Sequence, residues 1–186
     1  MEKYIRPGIF ALSFIVSMML IVAISTFKID TLSQSIAERP TGYIPAKVKE
    51  TQLKCLAQNI YYEAGHESFE GKVAVAQVTM NRLESGRFAD TVCGVVQQKN
   101  IIYQKVVCQF SWYCDDPSRR KPMNKEVYNE SFEVAKMVLL ENFRLSTVKE
   151  AIYYHADYVN PQWGKPKVAT IGRHIFYKED PKYARF

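Results

Sequence analysis

The hydrophobic pattern divides the chain into three stretches of different character. From Gly8 to Phe27 it reads GIFALSFIVSMMLIVAISTF, without a charged residue. About 20 apolar residues at ~1.5 Å per helical residue match a ~30 Å hydrocarbon core. The apolar core of a cleavable export signal is shorter, about 7–15 residues, although Ala23 and Ser25 offer a poor cleavage site. Residues 8–27 are therefore expected to form a transmembrane signal anchor. Residues 1–7 carry Lys3 and Arg6, which the positive-inside bias keeps in the cytoplasm. The expected location is single-pass in the inner (cytoplasmic) membrane, with the rest of the chain in the periplasm or cell-wall space.

Residues 28–47 are polar and broken by Pro40, Gly42 and Pro45, the composition of a linker. A folded domain is expected over residues 48–186. It opens with helical spacing, in which Leu53, Leu56, Ala57, Ile60 and Tyr61 make one apolar face. This helix is expected to end at Glu63 or Ala64, with Gly65 as the residue just past its end. A second helix is predicted from Phe69 to Arg82, with Val73, Ala76, Gln77 and Met80 on one side. A short third helix is capped by Asp90 or Thr91. A fourth runs from about Lys125 to Asn142, aligning Tyr128, Phe132, Ala135 and Leu139. After Ser146 the segments AIYYHADYV and RHIFYKE alternate and are rich in aromatics, as short strands or extended loops are. The fold class read from this pattern is mostly α with a small β or irregular C-terminal part.

Composition changes this picture in two ways. Hydrophobic residues make up 47% and aromatics 13%, enough to bury a core and to set disorder aside. The net charge of +6 lies mainly in the domain. It suits an anionic partner, whether wall polymer, phospholipid or nucleic acid, or serves solubility alone. The four cysteines, Cys55, Cys93, Cys108 and Cys114, fit an exported domain with two disulfides. Three pairings are open, and closeness in sequence favours Cys108–Cys114, leaving Cys55–Cys93. Paired CxxC or HxxxH spacing is missing, so no metal and no cofactor is expected.

The most informative stretch for chemistry is NIYYEAGHE, Asn59 to Glu67. Glu63 falls in the last helical turn, where the carbonyl ends carry partial negative charge, and Tyr61 and Tyr62 flank it. Both effects disfavour the ionised carboxylate and raise its pKa. A carboxylic acid still protonated near neutrality is what cleavage of a glycosidic bond requires, because the leaving oxygen must receive a proton. The alternative is an exposed helix-end Glu without a role. Glu67 and Glu70 are candidate second carboxylates, but both also suit the N-terminus of the next helix.

A second stretch, CQFSWYC, holds polar and aromatic residues between two cysteines. Phe110 and Trp112 could stack on sugar rings, with Gln109 and Ser111 bonding hydroxyls and acetamides. Equally, large aromatics fill cores, and one of the two is expected in the core and one in a groove. Tyr154, His155 and Trp163 in YYHADYVNPQW join the candidates for substrate contact. A lone His beside aromatics is more often structural than a base, which is the reading for His174.

Taken together, LAQNIYYEAGHESFEGKVAVAQVTMNR, TVCGVV, CQFSWYCD, YYHADYVNPQW and IGRHIFY resemble the SleB-like cell wall hydrolases, over about residues 53–178. The resemblance implies a lysozyme-like, mostly helical fold. It implies cleavage of peptidoglycan between N-acetylmuramic acid and N-acetylglucosamine, often by lytic transglycosylation that leaves a 1,6-anhydromuramic end. The family's catalytic Glu falls on Glu63. The family pattern Glu-Ala-Arg-Gly-Glu becomes Glu63-Ala64-Gly65-His66-Glu67, so the Arg is missing and a His stands where Gly is usual. Glu67 is then expected to orient or support the substrate. Two rivals remain: a membrane-tethered wall-binding module with a degenerate site, and a wall amidase or peptidase. Nucleic acid is set aside for an exported domain. A phage lysis protein and a host wall-remodelling enzyme are both compatible with an anchored domain of this kind.

Overall fold

The computed structural model describes residues 15–25, 46–119, 122–180 and 182. The chain divides into two units, Met1–Pro45 and Ala46–Phe186. In the first, residues 15–25 are helical and all exposed. Residues 8–14 and 26–27 of the expected anchor lie outside the described residues, as does the expected linker up to residue 45. No helix among the described residues is long and apolar enough to cross a membrane.

The second unit is mostly helical. Helix α1 spans Ala46–Ala64, α2 Phe69–Glu84, α3 Val92–Gln97, α4 Ser111–Cys114 and α5 Lys125–Leu140. Between α3 and α4 in sequence, β1 (Lys99–Ile102) and β2 (Lys105–Cys108) form an antiparallel hairpin. Strands β3 (Ala151–Ala156), β4 (Lys167–Ile171) and β5 (His174–Lys178) form an antiparallel sheet in the order β3-β5-β4.

The helix starts follow from their caps. Ser68 accepts the Gly71 amide at 3.3 Å, Thr91 the Gly94 amide at 3.0 Å, and Asn124 the Glu126 and Val127 amides at 2.9 and 3.2 Å. Each satisfies donors that the first turn leaves without helical partners. Gly65 ends α1 for a different reason from the one expected. It is absent from the glycines with positive φ, so it is no left-handed cap. A Cβ there would lie 2.4 Å from the Tyr61 carbonyl oxygen and 3.1 Å from a Val127 methyl. The glycine permits close packing, and a larger residue such as Arg would force the helix end to shift.

Helix α2 is the centre of the domain. One face packs Val73, Ala76 and Met80 with Leu56, Ile60, Val95 and Val138 of the other helices. The opposite face packs Ala74, Val75 and Val78 against Val148, Ala151 and Phe176 at the sheet. Burying side chains of this size contributes roughly 1.5–3 kcal/mol each. Polar residues of α2 fix the incoming strand. Gln77 exchanges two hydrogen bonds with the Leu145 backbone, at 3.1 and 2.7 Å. Asn81 donates to the Val148 and Ala151 carbonyls at 3.0 and 2.7 Å, and Arg82 Nε to the Ile152 carbonyl at 2.8 Å. Strand β3 is thereby held against the helices by side chains whose polar groups pair with its backbone as they are buried.

Two disulfides complete the frame. Cys55–Cys93 ties α1 to α3, and Cys108–Cys114 closes the segment between β2 and α4.

Candidate active site

Glu63 sits in the last turn of α1, and the sheet comes to it. The Tyr154 hydroxyl on β3 donates to Glu63 Oε2 at 2.9 Å. The pair lines a cleft of about 320 Å³ with Arg82, Cys108, Gln109, Phe110, Ser111, Tyr153 and Trp163. Glu63 is the one carboxylate among these lining residues. Burial raises its carboxyl above the ordinary value; the Tyr154 hydrogen bond and the Arg82 charge pull it back, and the Asp115 charge adds to the rise. Burial and the adjacent Glu63 push the Tyr154 phenol well above its ordinary value, so Tyr154 remains a donor across the physiological range.

Arg82 is buried at 4% exposure beneath the cleft. Its guanidinium lies 5.0 Å from the Phe110 ring centre and 5.4 Å from that of Phe88. With the Gln109 amide turned so that its oxygen faces Arg82, that oxygen accepts from both terminal nitrogens at 3.3 Å. Buried cations need such partners. One arginine thus binds the β3 backbone, the loop ahead of α4 and the electrostatics of Glu63.

The opposite wall is held by Glu179, just past β5. Tyr153 donates to its carboxylate at 2.7 Å and Lys165 at 2.8 Å, and Arg87 pairs with it as well. Burial alone would raise Glu179, but the bonds from Lys165, Tyr153 and Arg87 hold it down at about 2. Lys165 also lies 4.0 Å over the Tyr153 ring, and Trp163 packs on Tyr153 at 6.1 Å. The segment carrying Trp163 is therefore fastened to the cleft through one carboxylate.

This cleft sits in a domain with clear relatives. Residues 66–177 match the cell wall hydrolase family. The chain belongs to that family. It is similar to the spore cortex-lytic enzyme of Bacillus subtilis (strain 168), 30% identical over 141 residues that cover 72% of this chain and 39% of that protein. The spore cortex-lytic enzyme of Oceanobacillus iheyensis is 29% identical over 147 residues, 75% of this chain and 46% of the relative. The chain thus spans less than half the length of these curated relatives. Among solved structures, the catalytic domain of the Bacillus cereus SleB protein matches with a TM-score of 0.51 at 27% identity, over 75% of this chain and 94% of that one. The catalytic domain of the germination-specific lytic transglycosylase SleB from Bacillus anthracis gives the same score and identity over 99% of its length.

In this cell wall hydrolase domain the expected contact residues separate into two groups. Gln109, Phe110, Ser111, Tyr154 and Trp163 all line the cleft with Glu63. Phe110 is buried at its floor, and Trp163, 44% exposed, stands at its rim. Trp112 does not join them. Its indole N–H donates to Asn59 at 3.0 Å and its ring stacks on Tyr62 at 4.5 Å, which makes it core. Of the two aromatics, Trp112 thus lies in the core and Phe110, itself 3% exposed, lines the cleft.

Glu67 is also placed elsewhere. Its Oε2 accepts the Arg173 amide at 3.1 Å in the turn between β4 and β5, and it borders a separate groove with Phe69 and Lys72. Gly172 in that turn has φ +55°, and a Cβ there would lie within 1.9 Å of Glu67 Oε2. Glu67 therefore caps a hairpin turn instead of reaching the Glu63 cleft. His155 is absorbed by Tyr177, whose hydroxyl lies 3.0 Å from Nε2, and by the Ala156 carbonyl, 2.9 Å from Nδ1. His174 is buried against Tyr154, and burial lowers its pKa. Glu70 stays exposed in the first turn of α2.

Arg82, Tyr153 and Glu179 also build the site, although no sequence motif singles them out. Arg82 was legible only as the end of a helix. Its position two residues past Met80, beside the apolar face of that helix, is the signal that a buried partner was needed.

Proposed function

We propose that the domain cleaves peptidoglycan glycan strands between N-acetylmuramic acid and N-acetylglucosamine, with Glu63 as the acid. The observation that carries this is a single carboxyl, raised by burial, at the bottom of a cleft whose walls offer an amide, a hydroxyl and aromatic faces. Protonated Glu63 gives its proton to the leaving glycosidic oxygen as the bond to the muramic C1 breaks. The resulting carboxylate takes the proton of the same sugar's C6 hydroxyl, whose oxygen closes on C1. The products are a 1,6-anhydromuramic end and a free 4-hydroxyl, with Glu63 again protonated. One carboxylate suffices because no water needs a separate base, whereas the usual two-carboxylate hydrolysis requires a second. Hydrolysis is the second reading. It rests on Asp115, whose charge reaches Glu63.

Glu63→Gln should abolish release of muropeptides from sacculi while the protein keeps its near-ultraviolet circular dichroism. Reducing muramic ends in place of anhydro ends would select hydrolysis. All four cysteines are paired, which leaves no thiol for a cysteine peptidase.

The same reading holds the chain in the inner membrane through residues 8–27, with the domain in the periplasm or cell-wall space. Fractionation before and after membrane depolarisation tests this. Release on depolarisation supports a phage-type lysis protein, and retention a wall-remodelling enzyme.

A further inference from the structure

The β1–β2 hairpin leaves a set of large apolar side chains uncovered. Ile101 is 80% exposed, Ile102 49%, Tyr103 95%, Val106 60% and Val107 44%. The pairing register sets Ile101 opposite Val106, Asn100 opposite Val107 and Ile102 opposite Lys105. Side chains alternate along a strand, so Ile101 and Val106 lie on one face, and Ile102 and Val107 on the other. Both faces of the ribbon carry exposed apolar side chains, the second of them beside Asn100 and Lys105.

Charge adds a second constraint. Lys105 adjoins the tip, while Lys99 stands at the base of the hairpin opposite Cys108, 5.3 Å from the Tyr113 ring centre, and no Asp or Glu occurs between Thr91 and Cys114. The turn adds a third. Tyr103 and Gln104 both adopt left-handed backbone, with φ of 48° and 62°. Glycine or asparagine would sit there without strain, and non-glycine residues cost of order 1 kcal/mol each. The strain is accepted at the point where an amphipathic tyrosine projects outward.

We propose that this hairpin is a wedge that docks the domain on an anionic lipid bilayer. A ribbon with exposed apolar side chains on both faces suits a fluid medium, which can cover both at once, whereas a rigid protein or glycan surface covers one. Branched aliphatics gain nothing from stacking on sugars, but they partition into the interfacial zone, where tyrosine is also at home. Lys105, next to the tip, meets lipid phosphates and adds about 1 kcal/mol near an anionic surface. Self-association of two hairpins would bring two copies of Lys105 together with no hairpin carboxylate to pair them. The inference is independent of the glycosidase reading, because the residues named lie outside the Glu63 cleft.

The test uses the full chain reconstituted into vesicles of phosphatidylglycerol and phosphatidylethanolamine. An environment-sensitive fluorescent amino acid is incorporated at position 103, and in a separate protein at position 158 as an exposed control. The expected result is blue-shifted emission and quenching by brominated lipid at 103, with neither at 158. Lys105→Gln should lower the ratio of lipid-bound to free hairpin about fivefold, the equivalent of one lysine. Tyr103→Asp or Ile101→Asp, at exposed positions, should leave cleavage of soluble glycan fragments by the detergent-solubilised protein unchanged, and a probe moved to position 102 in either variant should report water. The proposal is overturned if position 103 stays in water beside anionic lipid. It is equally overturned if the shift appears only on adding peptidoglycan, which marks a glycan subsite, or only with rising protein concentration without bilayer, which marks self-association.

Discussion

Tyr154 donates its hydroxyl to Glu63 at 2.9 Å, joining the first strand of the sheet to the last turn of the first helix at the acid itself. The bond favours the ionised carboxylate, while burial favours the neutral one and prevails. Tyr154→Phe removes the opposing influence. The Glu63 pKa should rise further, moving the alkaline limb of the pH–activity profile upward. The protein should lose about 1 kcal/mol of stability, as for a typical hydrogen bond. A profile measured on soluble glycan fragments checks the direction; a downward shift would show that Tyr154 does not bond the carboxylate.

Glu63 should itself cost stability at neutral pH. Its folded pKa lies above the ordinary 4.5, so the folded state binds a proton that the unfolded state releases. Its favourable contribution is complete below pH 4.5 and is lost as pH rises through the folded value. Glu63→Gln should therefore be more stable than the parent at pH 7, with the gain fading toward pH 4. Urea denaturation at several pH values reads this, and a gain independent of pH would contradict the assigned shift.

Glu179 carries the opposite sign. It is held at about 2, so its contribution is present above the ordinary 4.5 and lost as pH falls toward 2. Glu179→Gln should cost about 1–2 kcal/mol near neutrality, through weakened bonds to Lys165, Tyr153 and Arg87. Because these bonds fasten the segment bearing Trp163, KM should rise more than kcat falls. A loss confined to kcat would mean that the Trp163 wall does not bind substrate.

The two disulfides should fail differently. Loop-closure entropy assigns about 4 kcal/mol to a separation of 38 residues and about 2 kcal/mol to one of 6. Replacing Cys55 and Cys93 with Ser should chiefly lower Tm. Replacing Cys108 and Cys114 should chiefly lower activity, since Cys108 to Ser111 form one wall of the cleft. Equal Tm losses in the two pairs would argue against this division.

Helices α1, α2, α3 and α5 were legible because their apolar spacing and caps agree, whereas the short α4, Ser111–Cys114, was not. Phe69 and Lys125 were both read as helix starts, and Thr91 is the cap of α3. The hairpin at Lys99–Cys108 was not, because its apolar residues face solvent and give no buried period to read. Strand β4, Lys167–Ile171, is too short and too mixed to stand out. At the candidate site, the place of Glu63 in the last turn of a helix and the rise in its pKa were legible. Glu67 was not, because four residues along the chain say nothing of a turn that bends it toward Arg173. Trp112 was ambiguous by nature, and the deciding contact, Asn59 on another helix, is visible only in three dimensions.

The most direct measurement is mass spectrometry of the material released from purified sacculi by the full chain and by Glu63→Gln. The expected result is disaccharide-peptides with 1,6-anhydromuramic ends from the parent and none from the variant at equal folded concentration. Undiminished release by Glu63→Gln, or release of peptides from uncut glycan strands, would contradict the assignment of Glu63 as the glycosidic acid.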